Sequence, residues 1–405
     1  MSDNLLRVEW RDLDSAELML LLYERIGRSG QYDDSSSNPN KFHLPSAGSS
    51  CRVSLTFRDK KIVAIESGEA FDAVEWMKIS KEIEGSILAG PLKVGRDYSF
   101  NSFRVTGSWR GEHSGVQILP PPEHVPRANV EMADHPFILE FPIKATNSWP
   151  VTNHRRMREH RNLTLLLNVL LAGHTSFQSK RSAHFWASVP LDDGRHEFKW
   201  VKQFFNVEGW EAVTSELSPS ADEQLEEMEP EEYYTKVGHD GKGLRVPANL
   251  DQSICCYMRL SVGNRKKFDR ATFWMGMASR QWDTSVSVSF AALVSAIESL
   301  TERGARHPFN CPTCGERAEH EVPSVTRRFK DFLDTYAPGA GLAKRRDDMY
   351  KLRSDISHGS ELMQLDQDID FGREPPSLNE IELHWELWSL TQIALRNWLK
   401  SPPTV

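Results

Sequence analysis

Cysteine is scarce in this chain: there are 5 among 405 residues, unevenly spread. So few, so placed, do not make a disulfide framework of the kind that staples small secreted domains. Long apolar runs are lacking as well. The longest, 163–173, is interrupted by Asn168 and falls short of the roughly 20 residues that span a bilayer as a helix. The opening Met1-Ser-Asp-Asn-Leu-Leu-Arg has none of the basic-then-apolar pattern of a secretory signal. These absences predict a cytoplasmic protein with no membrane partner. Positive charge is also short, since 49 Lys and Arg against 57 Asp and Glu leave a net charge of −8. A nucleic-acid partner would therefore need a local basic patch, because the field of the whole molecule repels polyanions.

What is present suits ordinary folded domains. The chain is 39% hydrophobic, with 12 Trp and 19 Phe to fill cores, and its length suggests two or three domains. The first half reads mainly as strands. Residues 52–58 alternate, Asp59-Lys60-Lys61 turns the chain, and 62–66 runs back, which predicts a hairpin. Further strands are expected at 103–109, 116–119, 137–143, 184–189 and 197–204, with a loop at Pro120, Pro121, Pro122 and Pro126. Helices are expected at about 71–83 and 153–171. Acidic residues then crowd 215–234 and suggest a solvated linker, followed by strand-like stretches at 253–262 and 272–277.

Beyond residue 280 the period becomes helical. Val286, Phe290, Leu293, Ile297 and Leu300 follow at spacings of 4, 3, 4 and 3, an apolar stripe along one helix face. Gly304 is expected to stop that helix. Three more helices are predicted at about 324–336, 342–357 and 378–399, and four such helices are enough to close one bundle core. The fold expected is therefore α+β. A β-rich sensor or regulatory domain occupies 1–214, an acidic linker with connecting strands 215–280, and an all-α four-helix bundle 281–405.

The third of these helices carries Met349-Tyr-Lys-Leu-Arg353-Ser-Asp-Ile-Ser-His358-Gly359. An arginine offers a fixed fork of donors to phosphate oxygens, and histidine titrates near neutrality as a proton acceptor or donor. Metal-free RNA cleavage needs both. The segment resembles the HEPN superfamily motif, an arginine followed after four to six residues by a histidine near a helix end. The upstream Phe290-Ala-Ala-Leu-Val-Ser-Ala-Ile-Glu298-Ser-Leu300 is similar to the family's early helix, which often bears a glutamate at this place. The resemblance covers about 284–400. It implies Arg353 and His358 as an active pair and an RNA substrate, with a place in bacterial anti-phage defence or toxin action. Two features depart from the family pattern. Ser360 stands where some HEPN toxins have a modifiable tyrosine, which argues against that kind of antitoxin pairing. Ser354 and then Asp355 follow the arginine, where many members have Asn, Asp or His directly.

Helix geometry adds a condition. Positions five apart on a regular helix diverge by about 140°, so Arg353 and His358 do not readily reach one phosphate from a straight helix. Either the helix breaks at His358-Gly359 or two protomers share one cleft, and the resemblance implies the second, a homodimer. Asp355 and His358 are three apart and share a face, so Asp355 is expected to hold the imidazole. Glu298 sits beside the apolar stripe as a buried partner for Arg353, either in the site or as scaffold. Tyr350 joins the RNA-binding candidates. The bland alternative is that Tyr350, Arg353, Asp355 and His358 form an exposed face with local ion pairs.

Two further features carry chemistry. His307-Pro-Phe-Asn-Cys311-Pro-Thr-Cys314-Gly contains half of a zinc knuckle. His307 and His320 would complete a structural Cys2His2 zinc; free thiols are the alternative, and no cofactor is expected for catalysis. Arg155, Arg156 and Arg158, followed by His160 and Arg161, open an expected helix whose basic face either holds RNA phosphates or is simply solvated. The leading expectation is a metal-independent endoribonuclease effector that cuts by 2′-OH attack and answers to a phage-derived or host trigger at the N-terminal domain. A non-catalytic nucleotide-binding, RNA-binding or dimerisation module is the alternative. An enzyme centred in the first half is a third option, although no P-loop, Gly-x-Ser-x-Gly or His-Glu-x-x-His occurs there.

Overall fold

The computed structural model describes residues 4–7, 10, 13–27, 31–32, 40–44, 52–87, 90–122, 135–177, 184–202, 210–236, 243–302, 304–310, 317–339, 343–367 and 375–403. The chain is an α+β protein, with eleven α-helices and several sheets among those residues. Its backbone contacts group into two units, both discontinuous. The smaller gathers 1–95, 142–159 and 212–216; the larger gathers 96–141, 160–211 and 217–405. This grouping differs from three successive segments at 1–214, 215–280 and 281–405, because strands pair across long stretches of sequence.

In the smaller unit, strands β1 (Gln31–Tyr32), β2 (Lys41–Leu44), β3 (Val53–Arg58) and β4 (Lys61–Ser67) form one antiparallel sheet in that order. Asp59 and Lys60 turn the β3–β4 hairpin with φ of 50° and 63°, the left-handed pair that matches the twist of the flanking strands. Helix α1 (Ser15–Arg25) presents Leu18, Leu21 and Leu22 to the sheet's Val53, Leu55 and Ile65. Helix α2 (Ala73–Glu82) starts on Asp72, whose carboxylate accepts from the amides of Val74 and Glu75, and buries Trp76 and Ile79.

In the larger unit, β5 (Leu92–Asn101), β6 (Trp109–Arg110), β7 (Gln117–Leu119) and β8 (His135–Lys144) lie in the order β5-β8-β7-β6. Strand β9 (Thr175–Phe177) also pairs with β5. Helix α3 (Trp149–Leu170) begins earlier than expected, so its arginines lie past the first turn. Strands β10 (His184–Pro190) and β11 (His196–Lys202) form a separate hairpin, and β12 (Val213–Thr214) pairs with the start of β5 within the smaller unit.

Three expectations are corrected. Of the stretch 103–109 only Trp109, the first residue of β6, is strand, whereas β5 lies before it. The acidic stretch 215–234 is not a free linker. Its Glu223 and Leu225 bond the backbone of Ser108, and Leu225, Met228 and Tyr233 are buried. It includes β13 (Glu227–Met228), which pairs with β14 (Val246–Pro247), and α4 (Pro230–Lys236). The stretches 253–262 and 272–277 are helical, in α5 (Leu250–Met258) and α6 (Val262–Gln281). Short apolar runs buried by a helix look like buried strands, because period alone does not separate them.

Helix α7 (Val286–Glu298) is apolar along most of its circumference and packs against α6. The hairpin β15 (Ala305–Asn310) and β16 (Arg317–Val322) follows it. Helices α8 (Val325–Tyr336), α9 (Ala343–Ser357) and α11 (Pro375–Lys400), with the short α10 (Gln364–Gln367) before the last, complete the described chain. Helices α7, α8, α9 and α11 all contact one another; α5 joins them through α11, and α6 chiefly through α7. Phe290, Leu293 and Ile297 of α7, Phe329 and Leu333 of α8, Met349 of α9 and Leu387, Ala394 and Trp398 of α11 are buried.

Asp366 secures the start of α7. Its carboxylate accepts from Ser285 Oγ at 2.7 Å, Val286 N at 3.0 Å and Ser287 N at 2.8 Å, where the helix dipole also favours an anion. Burial pushes its pKa up, but the hydroxyl and amide donors of Ser287, Ser285 and Val286 together hold it below the ordinary value. A depressed folded pKa adds stability above the unfolded pKa, and that stability is lost as pH falls through the folded value. Asp366→Ala should therefore cost about 1–2 kcal/mol at neutral pH. Urea unfolding at pH 7 and again below the ordinary aspartate range checks this, with the gap between variant and wild type closing in acid.

Candidate functional site

Arg353 sits on the face of α9 turned towards α7. Arg346, Met349 and Tyr350 precede it at helical spacing, and Arg346 and Met349 are buried. At the end of α7, Glu298 accepts from Arg353 Nη2 at 2.7 Å on one oxygen and from the Tyr350 hydroxyl at 3.1 Å on the other. Both members of the ion pair are mostly shielded, with side chains 24% and 20% exposed. Burial first, then the charge of Glu298, pushes the Tyr350 pKa up to about 12, so the phenol stays protonated and donates. The ring of Phe329 supports Tyr350 at 5.3 Å, and the Arg353 guanidinium lies 5.8 Å from the Tyr350 ring centre. Among the described residues Arg353 has no other hydrogen-bond partner, and its Nε is buried without one.

His358 lies where α9 stops. The Gly359 amide bonds Ile356 O at 3.1 Å and the Ser360 amide bonds Asp355 O at 3.0 Å, while Gly359 takes a left-handed φ of 71°. This double bond pattern closes a helix around a residue free of Cβ strain. His358 is thus the capping residue, exposed, and its ring has no hydrogen bond among the described residues. Asp355 is half-buried. No hydrogen bond or ion pair joins it to His358 among the described residues, and none joins His358 to Arg353. The helix does end beside His358, but one protomer leaves the two catalytic candidates unlinked.

Glu298 also lines an open groove of about 1050 Å³, together with Lys267, Arg270 and Trp274 of α6 and Arg328 of α8. Lys267 is paired with Glu302, whereas Arg270 is exposed and has no ion pair among the described residues. Trp274 is 38% exposed and offers a flat apolar face beside cations, the combination that single-stranded nucleic acid uses. Sequence reasoning missed Lys267, Arg270, Trp274 and Arg328. The charged spacing of 265–270 was the available signal, and it was obscured by expecting strands on either side.

Glu298→Ala would strand Arg353 and Tyr350 together. The expected cost is about 2 kcal/mol, less than for a fully buried pair because all three groups retain some solvent. Denaturant unfolding of the full chain at neutral pH measures it.

The arginines of α3 make ion pairs and hydrogen bonds that neither sequence reading contained. Arg155 donates to Glu17 Oε2 through Nε at 2.9 Å and Nη2 at 2.6 Å, and its Nη1 bonds Lys144 O. Arg158 reaches Glu17 Oε1 at 3.0 Å and pairs with Asp14, while Arg156 donates twice to Asn153 Oδ1. The anion that answers this basic stretch belongs to α1 and its cap. Arg155 and Arg156 are thereby engaged within the chain, while Arg158 stays 41% exposed.

The zinc candidates Cys311 and Cys314 lie outside the described residues. The backbones of His307 and His320 stand directly opposite each other across the β15–β16 hairpin. Cys255 and Cys256 lie on helix α5 rather than on a strand, the first of them buried. Among the described residues, no group of three or more His, Cys, Asp or Glu is placed to hold a metal ion, and no helix is long and apolar enough to cross a membrane. No family model, curated protein or solved structure matches this chain.

Proposed function

We propose that this protein is a metal-independent endoribonuclease of HEPN type, with α7, α8, α9 and α11 as its catalytic bundle. In this reading the ribose 2′-oxygen attacks the adjacent phosphorus and the bond to the 5′-oxygen breaks. The products are a 2′,3′-cyclic phosphate and a 5′-hydroxyl. His358 takes the 2′-OH proton or delivers one to the leaving oxygen, and Arg353 stabilises the charge that develops on the phosphoryl oxygens. Glu298 and Tyr350 are positioning residues for Arg353. In this reading, as the resemblance implies, two motifs face one cleft across a homodimer, each chain supplying its own Arg353 and His358. A phage-derived or host trigger acting through the N-terminal part, and a structural zinc at Cys311 and Cys314, belong to the same proposal.

The observation that carries this reading is the position of Glu298. It holds Arg353 and Tyr350 on one side and lines a groove with Lys267, Arg270, Trp274 and Arg328 on the other. The motif helix is thereby tied to a surface whose chemistry suits an RNA strand. Incubation of the full chain with total RNA in EDTA tests it, with Arg353→Ala and His358→Ala alongside. Cleavage by wild type alone is expected; cleavage that persists in both variants rules the site out.

One observation favours a second reading, a non-catalytic nucleotide-binding, RNA-binding or dimerisation module. Arg353 is already neutralised by Glu298, as a purely structural arginine would be. Under that reading the chain binds RNA in the groove and leaves it intact.

A further inference from the structure

A second cavity in the larger unit shares no lining residue with the groove. It encloses about 360 Å³ and is walled by Trp282, Trp385, Trp388, Tyr234, His174 and Arg396, among others. Trp282 and Trp385 have ring centres 4.9 Å apart and tilted by 49°, and Trp388 lies 6.3 Å from Trp385. Trp385 is 48% exposed, so part of its ring stays open to a ligand in the cavity. Flat apolar walls of this kind favour a planar ligand.

The polar groups of the cavity are equally specific. The Arg396 guanidinium lies 3.9 Å from the centre of the Tyr234 ring and donates to Val169 O at 3.3 Å. It has no carboxylate partner among the described residues. A half-buried cation without a counter-ion is a natural place for an anion. His174 is 7% exposed, and its Nδ1 is 3.1 Å from Asn168 Oδ1, which also accepts the Thr175 amide. The proton must therefore be on Nδ1, which leaves Nε2 as an acceptor, and Nε2 is buried with no partner among the described residues. Neither Tyr233 nor Tyr234 is available to it, since their hydroxyls donate to Arg245 O and Leu170 O.

We propose that this cavity is a binding site for a planar heteroaromatic anion of the nucleoside 5′-monophosphate class. The base stacks on the tryptophans, the phosphate meets Arg396, and a base or ribose donor answers His174 Nε2 directly or through a water. The volume lies at the low end for small-molecule sites and suits one nucleotide rather than an oligonucleotide. The site stands independently of the nuclease reading.

Isothermal titration of the full chain with AMP, GMP, CMP and UMP, each beside its nucleoside, tests this. At least one monophosphate should bind at one site per chain with a Kd below about 1 mM, and its nucleoside should bind at least about tenfold more weakly for want of the anion. Trp385→Ala should weaken binding by about tenfold or more, and Trp385→Phe should retain it, since stacking needs a ring and not an indole. Trp385 is half-exposed, so neither change should disturb the core, and circular dichroism verifies that. Trp274→Ala, in the groove, should leave binding unchanged. The proposal is overturned if no monophosphate binds, if nucleoside and nucleotide bind alike, if Trp385→Ala has no effect, or if Trp274→Ala is the change that abolishes binding.

Discussion

His358→Ala is expected to lower RNA cleavage in EDTA by about 10²–10⁴-fold, the range of a positioned acid or base, while the unfolding midpoint stays where it is. Two observations separate the loss from damage to the fold. The His358 side chain is exposed and has no hydrogen bond among the described residues. The termination of α9 depends on backbone bonds from Gly359 and Ser360, which alanine at 358 leaves in place. Arg353→Ala should abolish cleavage as well but also weaken the fold, because it leaves Glu298 without its cation. Histidine and arginine variants that lose activity equally and differ in stability are therefore the expected pattern. Loss of stability in His358→Ala would mean that the side chain has a structural role these contacts do not contain.

Glu17→Ala is expected to destabilise the smaller unit by about 3 kcal/mol. Glu17 is 3% exposed and receives three donors, two from Arg155 and one from Arg158. The Arg155 side chain is itself only 12% exposed, so removing the carboxylate takes two charge-assisted hydrogen bonds from a nearly buried cation. Arg158 is 41% exposed and retains Asp14, so it adds little to the cost. Glu17→Gln should recover part of the loss by accepting one of the hydrogen bonds. Chemical denaturation of the three proteins measures the series, and a change below about 0.5 kcal/mol in Glu17→Ala would contradict this account of the basic helix.

That helix also shows where sequence alone ran out. The run of Arg155, Arg156 and Arg158 was visible, but its partner is Glu17, far away in sequence. No local pattern announces a pairing of that kind. Strand β5 escaped for a related reason: Gly95, Arg96 and Asp97 interrupt its alternation, and its burial comes from β8 and β9, which join it from elsewhere in the chain. The stripe from Val286 to Leu300 was legible because a helix packed on one side keeps its period. Helix α6 was not, because its apolar residues come in short runs that fit a strand equally well. At the candidate site, Arg353, His358 and Glu298 were singled out by their resemblance to the HEPN motif and its early helix. The groove beside them could not be, since Lys267, Arg270 and Arg328 come from two helices that only the fold brings together.

The 140° divergence expected of Arg353 and His358 on a straight helix has a concrete counterpart in the Gly359 cap. The cap ends α9 at His358, yet Arg353 remains bound to Glu298 and no bond joins the pair within one chain. The chemistry proposed for them can be read directly from the ends it leaves on RNA. Wild-type protein, incubated in EDTA with a 5′-labelled single-stranded RNA, should give fragments ending in 2′,3′-cyclic phosphate, and a single 2′-deoxy substitution at the cut position should abolish that cut. Fragments with 3′-hydroxyl ends, or a cut that survives the 2′-deoxy substitution, would contradict it.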